Sequence, residues 1–320
     1  MKHSEVLNRY VNTGTQIPEK QYDLLSKSLQ KSYIRMRGVV GYEEWEYKFF
    51  KILNDNEIIN YIEKNGEELD IRNLTNILYY LNSKTIFITK IIEVKGEKLN
   101  STEIGGLLFC SVNKDEIATK IIEVKGNKLN SYDIELLLST LNNNKYDTTL
   151  FILKIIQIKG ENLNNDDIVK LVYYSDNKDD IATKIIETKG KKLHSHDTES
   201  LLLYSDNKND IATKILNVKG EEFDYNEVKY LLQYSENKNT VATKIIEKIG
   251  YHHLDSFVIK LLLSFSENKE LIKKLLLQKG IDYEIINYVI TDLLDEDIPL
   301  IPDNYQSMLQ EIRRIKEIMI

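Results

Sequence analysis

The chain has 320 residues, of which 42% are hydrophobic and 29% charged, with a formal net charge of −7, three prolines and a single cysteine, Cys110. The acidic balance is not that of a dedicated nucleic-acid binder, and one cysteine excludes a disulfide framework, which points to a reducing, cytoplasmic setting. No apolar run reaches transmembrane length, and the opening MKHSEVLNRYV lacks the uninterrupted apolar core of a signal peptide, so no membrane partner is expected.

Residues 1–54 carry nine Lys/Arg against six Asp/Glu and predict two helices, Glu19 to Arg37 and Glu43 to Leu53. The second is dense in aromatics. Trp45, Phe49 and Phe50 either cover the first unit of a repeat array, whose end requires such a cap, or form a docking patch for a partner.

From Gly66 the chain is periodic. Gly66, Gly96, Gly126, Gly160, Gly190, Gly220, Gly250 and Gly280 are spaced by 30 residues, with one step of 34. Such a period marks units that bury an apolar face only against their neighbours. Each unit predicts two helices. In the first, helix A, Ile117, Ile121 and Val124 share one face, and Lys125-Gly126 closes the helix with a cation in its last turn and a left-handed glycine cap. Helix B follows after four residues: Asn130 caps it, Asp133 stands at N3, and Leu129 with Ile134 forms a hydrophobic staple. The same arrangement returns at Leu99-Asn100, Leu163-Asn164 and Phe223-Asp224. The 34-residue step falls near residues 141–149, where four additional residues lengthen a loop or a helix by one turn.

Two rows recur once per copy. Lys114, Lys178, Lys208 and Lys238 stand in the turn before helix A, and Lys90, Lys120, Lys154, Lys184, Lys214, Lys244 and Lys274 lie within it. A row of cations can follow a phosphate backbone. Glu116 and Glu123 flank Lys120 on its own helix, however, so this face also reads as self-paired. Tyr174, Tyr204 and Tyr234 each lie 14 residues after their glycine, where Cys110 and Thr140 stand in other copies; they stack bases or pack on the next copy.

Residues 163–184, with Leu-Asn-x-x-Asp-Ile followed by Ser-x-Asn-Lys-x-x-Ile-Ala-x-Lys, resemble the two-helix units of HEAT-like solenoids and, more faintly, TAL-effector-type repeats. The resemblance covers about residues 56–280 and implies a solenoid. In TAL-type repeats the turn between helices varies to read bases, whereas Ser175-Asp176-Asn177-Lys178 and Ser205-Asp206-Asn207-Lys208 are identical and acidic. A constant turn does not encode a varied sequence.

His194, His196 and Asp197 offer metal-capable groups, but His194 holds an N-cap register and neither a cysteine nor a second histidine pair stands nearby. No Walker loop, nucleophile elbow or Cys/His spacing is present, so no catalytic residue, metal or cofactor is assigned. The last segment, 281–320, is acidic, with Asp292, Asp295, Glu296 and Asp297 clustered. It predicts a final helix B from Asp282 and a capping helix over Asp303 to Met319.

The expectation is an all-α, right-handed α-solenoid of about seven two-helix repeats over residues 55–280, with helical caps at 1–54 and 281–320. Its expected role is a non-enzymatic scaffold or adaptor for another protein or for its own copies. The alternative is sequence-independent binding to a DNA or RNA backbone through the lysine and tyrosine rows.

Overall fold

The computed structural model describes residues 55–65, 78, 84–144 and 146–294. The aromatic segment with Trp45, Phe49 and Phe50, the acidic residues Asp295 to Asp297 and the expected final capping helix lie outside them. The described residues are helical, without a strand, and fall into two compact units. The first runs to Lys192 and takes in Tyr204–Asp206; the second comprises Leu193–Leu203 and the chain from Asn207 onward.

In the first unit the helices are α1 (Asp55–Asn65), α2 (Lys84–Lys95), α3 (Ser101–Cys110), α4 (Lys114–Lys125), α5 (Ser131–Asn143), α6 (Thr149–Lys159), α7 (Asn165–Tyr173) and α8 (Lys178–Lys189). The helices of type A, α1, α2, α4, α6 and α8, pack in chain order; those of type B, α3, α5 and α7, do the same beside them. The second unit holds α9 (Ser195–Tyr204) up to Leu203, then α10 (Lys208–Lys219), α11 (Tyr225–Tyr234), α12 (Lys238–Lys248), α13 (Ser256–Phe265), α14 (Lys269–Gln278) and α15 (Tyr283–Leu294). There α10, α12 and α14 form one row, and α11, α13 and α15 the other. This is the neighbour-on-neighbour packing of a helical repeat.

The core between the rows follows the predicted stripes, except that Val124, expected on the face of Ile117 and Ile121, is half-exposed. Ile117, Ala118, Ile121 and Ile122 of α4 and Ile134, Leu137, Leu138 and Leu141 of α5 are all fully buried, as is the staple residue Leu129. Capping boxes form as expected at Asn100, Asn130, Asn164 and Asp224, each side chain accepting from the N3 backbone while the N3 carboxylate accepts from the cap. The four additional residues are largely absorbed by helix: α5 has 13 residues where α3 has 10.

The glycine after helix A is not in the left-handed helical conformation expected for it. Gly126 has φ +54° and ψ −127°, the mirror of the extended region, open only to a residue without Cβ. It starts the 3₁₀ turn Gly126–Lys128 that aims the chain into helix B. Gly250 departs from this, with φ −62° and ψ 147°, and one more residue separates it from its N-cap, Asp255, than separates Gly220 from Asp224.

Candidate functional site

The lysine closing helix A is buried, whereas its position predicts only a surface cation near a helix end. Lys125 sets its ammonium 3.0 Å from Oδ2 of Asp133, the N3 residue of the next helix B, and donates to the carbonyl of Leu99 one copy earlier. Lys159 repeats this with Asp167, at 3.0 Å, and with the Leu129 carbonyl. Lys95 pairs with Glu103 at 2.6 Å, and Lys189 donates to the Leu163 carbonyl. In the second unit Lys219 pairs with Glu227 and donates to the Leu193 carbonyl at 2.9 Å. Serines at the first position of helix B extend the row: Ser101 donates to Asp133 at 2.6 Å and Ser131 to Asp167 at 2.8 Å, each reaching the following copy. A buried lysine thus serves as the bolt between consecutive copies.

The exception explains the rule. Where the lysine register holds Ile249, the N3 position holds Val258, and both are buried. Cation and carboxylate disappear together, as they must, because either alone would be an uncompensated buried charge.

The opposite end of the hairpins has its own link. Asp179 accepts the backbone N–H of Asp206 at 2.9 Å. In the second unit Asn209 accepts from Glu236 and Asn237, and Asn239 from Asn268.

Of the lysines within helix A, Lys90, Lys120 and Lys154 pair with carboxylates one copy back, whereas Lys214 pairs with Asp210 on its own helix, at 2.6 Å. Lys90 meets Glu63 at 2.7 Å, Lys120 meets Glu93 at 3.0 Å and Lys154 meets Glu123 at 2.6 Å. Where that carboxylate register holds Gln157, Lys184 turns to Glu187 on its own helix, at 3.2 Å; where it holds Asn217, Lys244 donates to Thr213 Oγ1. Lys154, and secondarily Lys120, hold the Glu123 carboxyl below its ordinary range.

The proposed turn lysines do not act alike. Lys114 donates to the Leu108 carbonyl at 3.0 Å and reaches the Ser111 carbonyl at 3.4 Å, closing the end of α3. Lys178 lies 4.0 Å from Asp206, Lys238 stands over the Phe265 ring at 5.6 Å, and Lys208 is half-buried. Tyr174, Tyr204 and Tyr234 are half-buried as well. Tyr174 meets Tyr173 edge-on, and the Tyr234 hydroxyl donates to Glu199 at 3.3 Å. Burial and the nearby Glu199 carboxylate push the Tyr234 phenol up. The backbone N–H of His194, just before α9, donates to Asp197; among the described residues no three His, Cys, Asp or Glu side chains converge in a way that could hold a metal. Also among them, no helix is long and apolar enough to cross a membrane.

Sequence reasoning passed over one surface. At the end of the first unit's hairpins where helix B turns into the next helix A, large apolar side chains face outward. Phe109 is 82% exposed, Val112 76% and Leu150 73%, and Ile86, Tyr146 and Tyr173 are exposed beside them in successive connections. The signal lay in the registers: Val112 and Tyr146 stand where Asp176 and Asp206 stand later, and Ile86 and Leu150 where Asp180 and Asp210 stand.

Comparison with protein-family models, with curated proteins and with solved structures yields no match.

Proposed function

We propose that the protein is a non-catalytic scaffold that takes a protein partner on the helix-B-to-A end of its first unit. The carrying observation is the apolar strip of Ile86, Phe109, Val112, Tyr146, Leu150 and Tyr173. Each unit already has a buried core, and Phe109, Val112 and Leu150 lie mostly outside it, where keeping apolar surface in water is unfavourable. Large apolar side chains exposed in successive connections at one end of the hairpins are the kind of surface found at interaction sites, and aromatic residues concentrate at the centre of protein interfaces.

The alternative, a nucleic-acid backbone, has less support from the same geometry. Lysines of the helix-A row engage carboxylates or a threonine, and the turn row is divided among carbonyls, a carboxylate and an aromatic ring. A polyanion would have to displace those partners.

The test is affinity capture from the native cell with the wild-type chain and with a Phe109→Glu, Leu150→Glu double variant. The proposal expects one or more proteins held by the wild type, further copies of this chain included, and lost from the variant. Capture of nucleic acid that is released by nuclease or moderate salt, and is indifferent to the double substitution, would favour the alternative.

A further inference from the structure

We propose that residues Asp303 to Met319 act as one further helix A and cover the open face of the last hairpin, α14 and α15. Two registers carry the inference. Ile122 is fully buried, and so are its counterparts Ile92, Ile156, Ile186, Leu216 and Ile246 in other helices A. Leu277, at the same place in α14, is 40% exposed. In helix B, Leu138 and its counterparts Leu108, Val172, Leu202, Leu232 and Leu263 are buried too, whereas Ile290 of α15 is only half-buried. Leu293 likewise stands half-buried where Leu141 is closed off. Each register is shut wherever another helix A follows among the described residues, and opens where none does. Keeping this apolar surface in water is unfavourable, and the end of an array requires a unit with a polar outer face.

The sequence that follows fits that face. An asparagine stands immediately before helix A at Asn113, Asn177, Asn207, Asn237 and Asn268. Aligned on it, Asn304 places Met308, Leu309 and Ile312 in the registers of Ile117, Ala118 and Ile121, which are buried in α4. The register of Ile122, the one left open at Leu277, holds Arg313. Apolar residues thus stand where helix A enters the core, and a cation where the next copy would sit. That is the composition of a closing unit. Residues 295–303 can extend about 30 Å at roughly 3.3–3.6 Å per residue, more than the roughly 18 Å of the twelve-residue α15. The connection therefore lets the segment return along its own hairpin, and tethering gives it an effective concentration that a second copy does not match.

The test is hydrogen exchange on the full chain, at about 5 and about 100 µM, with three variants. Leu309→Glu with Ile312→Glu places charge in the core-facing registers. Amides of residues 272–278 and 286–293 should then exchange at least about tenfold faster, while those of α4 to α8 keep their wild-type rates. Arg313→Glu, in the outward register, should leave all of these rates unchanged. Leu277→Glu, on the other side of the contact, should speed the same amides and add little to the double variant; full additivity would count against the contact. Wild-type protection of these amides should not depend on concentration. Unchanged exchange in the double variant, an equal effect of Arg313→Glu, or acceleration spread evenly over both units would overturn the inference. Protection that rises with concentration would assign the cover to a second copy and overturn it as well. These readings do not involve the strip of the first unit, so the proposed partner site stands or falls separately.

Discussion

Lys125 and Asp133 lie 3.0 Å apart in the first unit, both shielded from water, with the lysine also bonded to the Leu99 carbonyl of the preceding copy. One side chain therefore joins three features: the end of helix A, the start of helix B and the neighbouring hairpin. Lys219, Glu227 and the Leu193 carbonyl repeat the geometry in the second unit.

Removing the carboxylate alone should be costly. Glu227→Val is expected to lower unfolding free energy by about 3–5 kcal/mol, the usual consequence of stranding a buried charge. Lys219→Ile combined with Glu227→Val copies the Ile249 and Val258 arrangement and should recover at least half of that loss. A double-mutant cycle by urea denaturation measures the coupling; additive losses would count against the pair as the source.

Glycine substitutions should divide by backbone conformation. At Gly160, φ +53° and ψ −129° exclude a side chain although nothing lies within 4 Å of an added Cβ. Gly160→Ala is therefore expected to cost about 1–3 kcal/mol through backbone strain alone. Gly250→Ala keeps an allowed φ of −62°, and its one tight contact is the Glu221 Oε2 at 3.2 Å, the movable tip of a side chain, with the His253 ring at an ordinary 3.7 Å, so its loss should be smaller. Thermal melts of the two variants make the comparison.

Glu123 and Glu227 should answer pH in opposite senses. Glu123 is held below its ordinary 4.5 by its hydrogen bond with Lys154, so what it contributes is present above that value and lost as pH falls through its lower folded value. Burial pushes Glu227 above 4.5, against the pull of Lys219, so its contribution is fullest below 4.5 and declines as pH rises through the raised value. Carbon-detected titration of both carboxyls checks the order, and Lys154→Ala should move Glu123 back upward. The exposed rung itself should matter little to stability, since pairs of this kind are worth about 0–1 kcal/mol and weaken with salt.

The asparagine link should accept a carboxylate. Asn239→Ala leaves the Asn268 N–H without its protein acceptor, for an expected loss of about 0.5–1 kcal/mol at this water-accessible turn. Asn239→Asp should cost less, because in the first unit an aspartate, Asp179, holds the same register and accepts the N–H of Asp206, one position earlier in that turn. Amide exchange at Asn268 reports the bond directly.

The helices, their caps and their staples were legible because each depends on neighbours in the chain: Asn130 and Asp133 announce a helix start whatever surrounds them. The bolt was not. Lys125 before Gly126 has the ordinary look of a surface cation at a helix end, and nothing local shows that the Leu99 carbonyl closes over it. The clue was the joint change to Ile249 and Val258, which has meaning only once both positions are known to be buried. The spacing along its own helix predicts Glu116 and Glu123 as partners of Lys120, yet stacking brings Glu93 within 3.0 Å. The break between units after Lys192 carries no local mark, since Lys189-Gly190 there is identical to Lys125-Gly126.

Each bolted copy reaches backward with an ammonium and offers a carbonyl forward, so the coupling has a direction. A chain built this way gains or sheds length only in whole modules: a cut through a hairpin strands a cation, whereas a duplicated module arrives with donor and acceptor already matched. Ile249 ends the series, and Lys279, bonded instead to the Glu247 carbonyl, lies beyond that stop.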